Sequence, residues 1–301
     1  MSKQKGFTQK RRKPIFTSDN IFDFAIKFII FILVLIVLYP VLFTFFASIS
    51  SGWAVDTGRV TFFPVEPTFA SYRMVIVEPQ FWRSYLNSIL ITSSQTVLTM
   101  FVLLMAGFAY TKKDMPGFKL FTFIMLFNML FSAGQIAQFV NLGELGLRNM
   151  AGLILMGSGT GAVSIIIVKS AYQSIPDGLL EASIIDGAHD FQTLWHIAIP
   201  SIKPTIAVLA FNQAVGSWNA WIWAQILLNR VEHIPLQLYL RRFIIQRTAM
   251  LEDVEAMIDP SFSSQTLIYA LIFCALLPVL VVFPYMQKYF KRGIFEGGIK
   301  A

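Results

Sequence analysis

Residues able to do acid–base or metal chemistry are concentrated in one polar stretch of the sequence, residues 174–204. The carboxylates and imidazoles there are Asp177, Glu181, Asp186, His189, Asp190 and His196. Paired carboxylates can act as general acid and base, and histidines are common zinc ligands. These carboxylates, however, fall in a solvated amphipathic segment without a predicted pocket, and the histidines lack a nearby cysteine or a His-Glu-x-x-His pattern. We therefore predict neither catalytic residues nor a metal site in this stretch.

A second group of residues has the chemistry to bind a sugar. Amides and indoles cluster near the end of a long apolar stretch, at Asn212, Gln213, Trp218, Asn219, Trp221 and Trp223. Amides hydrogen-bond to hydroxyl groups, and indole rings pack against apolar ring faces. Tryptophan is also enriched where membrane meets water, so Trp221 and Trp223 could form an interfacial belt instead. We predict a substrate path lined by Gln135, Gln138, Gln213, Trp218 and Asn219, although Gln135 and Gln138 could also bond neighbouring helices.

Nucleotide hydrolysis is not predicted for this chain. The phosphate-binding pattern G-x-x-x-x-G-K-[ST] does not occur in the sequence. Gly157, Gly159 and Gly161 lack the lysine of that pattern, and small residues of this kind let helices pack closely. The single cysteine, Cys274, lies in an apolar run and excludes a disulfide framework. We predict that the chain is not an enzyme and holds no cofactor itself.

The composition indicates that these residues belong to a membrane protein. Hydrophobic residues make up 55% of the 301 positions and charged residues only 14%, against about 25% charged in soluble domains. Six windows of about 20 residues or more lack Asp, Glu, Lys and Arg, and that length lets a helix cross the hydrocarbon layer. We predict an all-α membrane protein with six transmembrane helices, at residues 22–49, 87–111, 120–141, 150–173, 205–229 and 266–289.

The positions of the lysines predict the orientation. With the N-terminus inside, every lysine falls in a cytoplasmic segment or near the inner end of a span, as the positive-inside rule expects. We predict cytoplasmic tails at 1–21 and 290–301, a six-helix domain at 22–289, and one sizeable cytoplasmic loop at 174–204. The first span is too long for a signal-peptide core and is interpreted as an uncleaved anchor. Because the basic residues follow this topology, the net charge of +7 does not indicate nucleic-acid binding.

The polar loop has the pattern of two short helices joined at a glycine. Pro176 suits the first turn of the first helix, Gly187 suits its C-terminal cap, and Asp190 suits the N-cap of the second. The exposed face is acidic, with no lysine beside it in the sequence before Lys203. A helix lying on an anionic membrane surface would prefer the opposite charge. We therefore predict that this face fits a basic cleft of a partner protein.

One motif in this loop resembles the EAA loop of the transmembrane subunits of bacterial ABC importers. It reads Glu181-Ala182-Ser183-x-x-Asp186-Gly187-Ala188, followed by Ile197-x-Ile199-Pro200 and Pro204. Two further stretches resemble the carbohydrate-uptake branch, and within it the Gram-positive oligosaccharide permeases. They are Ala214-Val215-Gly216-x-Trp218-Asn219 and Ile234-Pro235-Leu236-Gln237-Leu238. Ser183 departs from the alanine that is usual at its position in the family.

The resemblance implies a type I ABC importer permease in a bacterial cell membrane, with six spans and both termini cytoplasmic. In such a complex the loop sits in a cleft of an ATP-binding subunit and moves when two of these subunits close over ATP and Mg. The residues that would make this contact are Leu180, Glu181, Ala182, Ser183, Ile184, Asp186, Gly187 and Ala188. The resemblance also implies a second homologous permease and an extracellular or lipid-anchored solute-binding protein.

The cargo is less well defined by the sequence. An oligosaccharide is favoured, with a polyol or glycerol phosphate as the alternative cargo and a non-transporting membrane scaffold as the alternative class. Several arginines fall in the predicted outer segments, at Arg59, Arg73, Arg83, Arg148, Arg230, Arg241, Arg242 and Arg247. They suggest an anionic oligosaccharide such as a uronate, or contacts with acidic patches on the binding protein.

Overall fold

The computed structural model describes residues 18–250 and 263–297, and the side chains of 22–246 and 263–288. All the regular structure in these ranges is helical, which confirms the predicted all-α class. Predictions for residues 1–17 and 298–301, and for the side chain of Arg247, lie outside the described residues.

The helices follow one another with short connections. They are α1 Ser18–Ser48, α2 Gly52–Asp56, α3 Ala70–Val77, α4 Pro79–Ala109, α5 Phe118–Leu130, α6 Gly134–Glu144, α7 Met150–Gly157, α8 Ala162–Gln173, α9 Asp177–Ile185, α10 Asp190–Thr193, α11 Ile199–Ser201, α12 Lys203–Asn219, α13 Ile222–Leu227, α14 Leu236–Met250 and α15 Ser264–Gly297. A π-helical turn, Leu194–Ala198, joins α10 to α11, and a 3-10 turn, Val231–His233, precedes α14.

Three of these helices are long and apolar enough to cross a membrane. They are α4 and the segments Phe22–Ser48 of α1 and Ser264–Lys288 of α15. Two bent pairs are further candidates: α7 with α8, bent by 52°, and Asp190–Ser201 with α12, bent by 82°. By length and composition, the described ranges therefore contain three to five candidate spans, where the sequence predicted six.

The predicted third span, residues 120–141, is not one continuous helix. α5 ends at Leu130, Phe131 is extended with φ −119° and ψ 121°, and α6 begins at Gly134, whose φ is +75°. Glycine adopts a left-handed φ without the steric cost that a Cβ would impose, so the chain breaks here easily. A count of charge-free residues does not detect such a break, because glycine is as uncharged as leucine.

Other predicted boundaries also move. α4 begins at Pro79 rather than at residue 87, because proline suits the first turn and Glu78 accepts a capping hydrogen bond from Gln80 N over 3.2 Å. α15 continues to Gly297, so the predicted C-terminal tail from residue 290 is helical over most of its length. The predicted fourth span divides into α7 and α8, and the fifth, 205–229, divides into α12 and α13.

A stripe of polar residues on α4 lies in the buried interior. Ser84, Ser88, Gln95 and Thr99 are all buried, and their spacing places them on one helix face. Ser88 Oγ accepts from Leu236 N over 2.7 Å, and Gln95 Nε2 donates to Leu153 O over 2.9 Å. α4 is thereby tied to α14 through Ser88 and to α7 through Gln95, in addition to its packing against α8 and α12.

The predicted close packing at the glycine run occurs at one of its three positions. A Cβ on Gly157 would clash with the side-chain amide of Gln95. A Cβ on Gly161 would meet nothing within 4 Å. Gly157 is therefore the glycine of this run whose missing Cβ makes room for a side chain of a neighbouring helix, Gln95 of α4.

α1 contributes little to the interior of the chain. No residue in the most apolar window of Phe22–Ser48 is buried. Only the end of α1 meets α15, where Phe43 packs edge-on against Tyr269 and Phe45 lies 4.9 Å from the ring of Phe273. A helix that is apolar all round requires lipid or another membrane chain around it.

The contact between α4 and α8 depends on Gly107. A Cβ at Gly107 would lie 2.5 Å from Val168 Cγ1 and 2.9 Å from Val168 Cβ, whereas a Cβ on the helical Gly216 of α12 would meet nothing within 4 Å. We expect Gly107→Ala to lower the free energy of unfolding by about 1–3 kcal/mol through overpacking. Gly216→Ala should leave it unchanged or raise it by up to about 1 kcal/mol through helix propensity. Melting curves of the detergent-purified variants check this, and equal melting temperatures would contradict it.

Candidate functional site

Residues 174–204, which we call the elbow, fold as two arms that meet at a glycine. The first arm is α9, and the second runs through α10, the π-helical turn and α11. Gly187 joins them with φ +80°, as its predicted capping role requires. Two cap predictions are corrected: Pro176 is the N-cap of α9 rather than a residue of its first turn, and His189 rather than Asp190 is the N-cap of the second arm.

The physical reason for the second correction is the position of Gln192. The backbone N–H of His189 donates to Gln192 Oε1 over 3.0 Å, completing a capping box. Asp190 therefore falls in the first helical turn, where a carboxylate still complements the positive end of the helix dipole.

The two arms are held together by buried hydroxyl groups. Ser183 is 4% exposed, its Oγ donates to Leu180 O over 2.7 Å, and it lies 3.2 Å from Thr193 Oγ1 on the other arm. Leu180 is half-buried against a core that includes Leu194 and Ala198. Two of the eight predicted coupling residues, Leu180 and Ser183, thus face the protein itself, and Ser183 fastens one arm to the other.

The opposite side of the first arm is exposed and mixed in chemistry. Glu181, Ala182, Ile184, Asp186 and Gly187 are exposed there, and Ala188 is half-buried. Three large exposed apolar side chains were not among the predicted coupling residues: Ile185 at the end of α9, and Phe191 and Trp195 on the second arm. Ile185 lies four residues after Glu181, and Trp195 lies four after Phe191, so each pair shares a helix face and this spacing was the available signal. The elbow therefore presents carboxylates beside large apolar groups, a surface suited to a protein partner.

A lysine that is distant in sequence reaches the acidic elbow. Lys112 Nζ lies 2.9 Å from Asp190 Oδ1, although both side chains remain largely exposed. The acidic face therefore has a lysine close to it in the fold, although none lies beside it in the sequence before Lys203. Such an exposed pair contributes at most about 1 kcal/mol. Its main consequence is positional, because it joins the connection between α4 and α5 to the second arm, beside an open groove of about 540 Å³.

The residues predicted to line a substrate path have different surroundings. Gln213 is half-buried and donates to Gly157 O over 2.8 Å and to Ser217 Oγ over 3.1 Å. Trp218 is 6% exposed and its Nε1 donates to Ala275 O over 3.1 Å, so its ring is part of the core. On α6, Gln135 is exposed and Gln138 is half-buried. Asn219, at the end of α12, is exposed as well.

Asn219 borders a groove of about 470 Å³ at the end of α12 that is remote from the elbow. Gln237 Nε2 donates to Asn219 Oδ1 over 3.4 Å, and the Arg241 Cζ atom lies 3.7 Å from the centre of the Trp221 ring. Gln237 belongs to a stretch that resembles the carbohydrate-uptake branch and Arg241 is one of the outer arginines, but neither was predicted to line the substrate path. Their spacing within α14 was the available signal, since residues four apart share a helix face.

Comparison with known proteins identifies the family. The profile of the "Binding-protein-dependent transport system inner membrane component" family matches residues 14–296. The chain belongs to this family. It is a multi-pass inner-membrane component and the non-enzymatic translocation subunit of an ABC importer, as the sequence predicted.

Individual relatives agree over nearly the whole chain. The "Polygalacturonan/rhamnogalacturonan transport system permease protein YtcP" of Bacillus subtilis strain 168 is 29% identical, over 94% of this chain and 99% of that protein. Protein LplC of the same organism is 30% identical over 88% of this chain and 90% of that protein. A chain in the crystal structure of a bacterial ABC transporter involved in import of the acidic polysaccharide alginate is 36% identical, with a TM-score of 0.82 over 92% of this chain and 100% of that chain.

The hydroxyl pair inside the elbow can be tested by a double-mutant cycle. Ser183→Ala leaves the buried Thr193 hydroxyl without this partner and should lower the unfolding free energy by about 1–3 kcal/mol. Thr193→Val removes one of the two bonds of Ser183 Oγ and should lower it by about 0.5–1.5 kcal/mol. The double variant should lose less than the sum, with a coupling free energy of about 0.5–1.5 kcal/mol, because both hydroxyls are gone. The Ser183–Leu180 hydrogen bond is lost in both Ser183→Ala and the double variant, so its free energy does not enter the coupling free energy. Additive losses in denaturation of the purified variants would exclude the interaction.

Proposed function

We propose that this chain is one of two permease subunits of an ABC importer that carries acidic oligosaccharides into a bacterial cell. The observation that supports this most is the 36% identity and the TM-score of 0.82 to a subunit of the alginate importer. The relative named for polygalacturonan and rhamnogalacturonan transport supports the same cargo class. A second solved structure with the same fold holds an alginate transporter in complex with a pentasaccharide-bound periplasmic protein.

The proposed topology has six spans and both termini in the cytoplasm. α1, α4 and α15 provide three spans, α7 with α8 and α12 provide two, and α5 with α6 provides the remaining one despite its break at 131–133. The elbow and the connection between α4 and α5 then face the cytoplasm. That placement agrees with the positive-inside rule, since the α4–α5 connection carries Lys112 and Lys113, and Lys119 follows in the first turn of α5.

The elbow is proposed to be the contact with the ATP-binding subunits. Its exposed Glu181 would pair with a basic residue of the partner's cleft, and Ile184 and Ile185 would fill an apolar socket. Closure of two such subunits over ATP and Mg would shift the elbow and the helices attached to it. Hydrolysis would then reset the complex. Ala182, Asp186, Gly187 and Ala188 remain part of this proposed contact. Leu180 and Ser183 pack on the inner side of the elbow and hold its two arms in place.

The proposed complex has three further components. A homologous second permease completes the path and covers part of the exposed apolar surface of this chain. An extracellular or lipid-anchored binding protein delivers the oligosaccharide at the end opposite the elbow. The bilayer surrounds the remaining apolar surface.

The topology can be tested with single cysteines in a Cys274→Ala background. Asp56→Cys and Arg230→Cys should react with a membrane-impermeant maleimide on intact cells, because both exposed positions would lie outside. Asp114→Cys and Asp177→Cys, equally exposed, should react only after permeabilisation. Labelling of Asp114→Cys or Asp177→Cys on intact cells would overturn the orientation.

The coupling role can be tested at Glu181 and Ile185. Glu181→Ala removes the proposed charged hydrogen bond, and Ile185→Asp places a charge in the apolar socket, so each should weaken association with the ATP-binding subunit at least about tenfold. Co-purification and ATP-driven uptake of labelled trigalacturonate into proteoliposomes containing the complex should fall together.

The matched control for Ile185→Asp is Val231→Asp. Val231 is a large exposed apolar residue at the opposite end of the molecule, and its variant should co-purify normally. Normal co-purification of Glu181→Ala and Ile185→Asp would exclude the elbow as the contact. Uptake of maltotriose without trigalacturonate by the wild-type complex would exclude an acidic cargo.

A further inference from the structure

We propose that the groove bordered by Asn219, Trp221, Gln237 and Arg241 is a subsite for one uronate residue of the passing oligosaccharide, with the Arg241 guanidinium binding the carboxylate. The inference rests on the proposed function and adds to it a site on this subunit. It means that this chain contacts the cargo itself and does not serve only as a scaffold for the second permease.

The stacking of Arg241 on Trp221 gives the guanidinium a defined position. Its Cζ atom lies 3.7 Å from the centre of the indole ring, a cation–π arrangement. A guanidinium stacked by its face keeps its N–H groups at its edge, and those groups match a carboxylate bidentately. The indole therefore holds the arginine without using the donors that an anion requires.

No described residue of the groove neutralises the charge of Arg241. Among the lining residues that the structure describes, none is Asp or Glu. The ion pair found within the described ranges joins Lys112 to Asp190, on the elbow. Arg241 is exposed at the groove, and a cation there without a described carboxylate favours an anionic ligand.

The rest of the groove fits the other faces of a sugar ring. Asn219 and Gln237 supply amide groups for hydroxyls and are already joined over 3.4 Å, so they are ordered next to each other. Leu240, Ile272 and Leu276 form an apolar wall, against which the C–H face of a pyranose can pack. The volume of about 470 Å³ lies within the range of small-ligand sites, roughly 300–1,000 Å³.

An apolar cavity elsewhere in the described part of the chain differs in this respect. The cavity among Phe45, Tyr72, Phe81, Trp82 and Phe273 is lined by aromatic and aliphatic residues together with Cys274, without an amide or a cation. Arg59 stacks on Trp53 at 4.1 Å, much as Arg241 stacks on Trp221. Arg59 and Trp53 do not line the groove. Arg59 is therefore a matched control for Arg241.

The experiment compares Arg241→Gln, Arg241→Lys and Arg59→Gln in the complete importer, reconstituted in proteoliposomes with its binding protein. Initial uptake of labelled trigalacturonate should fall about 10- to 100-fold in Arg241→Gln, because a charged hydrogen bond is lost. Arg241→Lys keeps the charge without the bidentate fork and should fall less. Arg59→Gln should transport as the wild type does.

A second measurement separates cargo binding from docking of the binding protein. ATP hydrolysis stimulated by the sugar-free binding protein should be equal in the wild type and Arg241→Gln. If Arg241→Gln lowers that stimulation, or transports trigalacturonate at the wild-type rate, the subsite is wrong while the importer function stands. If the wild-type complex takes up no acidic oligosaccharide, the proposed cargo fails first and the subsite fails with it.

Discussion

A backbone carbonyl in the hydrocarbon layer needs a hydrogen-bond donor from the protein, because no water is available there. The break between α7 and α8 leaves Gly157 O beyond the last intrahelical bonds, and Gln213 of α12 donates to it over 2.8 Å. Gln95 of α4 adds a bond to Leu153 O, one turn earlier in α7. Gln95 can approach only because Gly157 has no Cβ. The packing of α4, α7, α8 and α12 therefore depends on the side-chain amides of Gln95 and Gln213, which donate to carbonyl groups near the end of α7.

This constraint gives several polar residues a structural purpose that residue type alone does not reveal. In the sequence, a glutamine that binds a sugar looks the same as one that binds a backbone carbonyl. Gln213 was predicted to line a substrate path, but its described hydrogen bonds go to Gly157 O and to Ser217 Oγ. Ser183 is a similar case, since it lies within the coupling motif but bonds to Thr193 across the elbow. The departure from the usual alanine at this position thus stabilises the motif from inside.

Much of the architecture could be predicted from the sequence because it depends on local properties. Low charge and long apolar windows indicated a helical membrane protein, and the glycine at 187 indicated where the elbow turns. What could not be predicted depends on contacts between distant residues or on backbone breaks. The pairing of Lys112 with Asp190 and the stacking of Arg241 on Trp221 bring together residues from separate helices or connections. The left-handed Gly134 divides an apolar window that hydropathy reads as one span.

α12 links the two proposed sites of this subunit. It begins at Lys203, at the C-terminal end of the elbow, and ends at Asn219, on the edge of the Arg241 groove, a length of about 25 Å at 1.5 Å per residue. No break interrupts it, so a displacement of the elbow along the helix axis moves Asn219 relative to Arg241 unless α14 follows. Gln213 adds a third attachment, because its bond to Gly157 O couples α12 to the interrupted helix. A transport cycle in which α12 shifts must therefore either carry α7 with it or break that hydrogen bond, and in the second case Gln213 Nε2 can keep its other bond, to Ser217 Oγ on α12 itself over 3.1 Å.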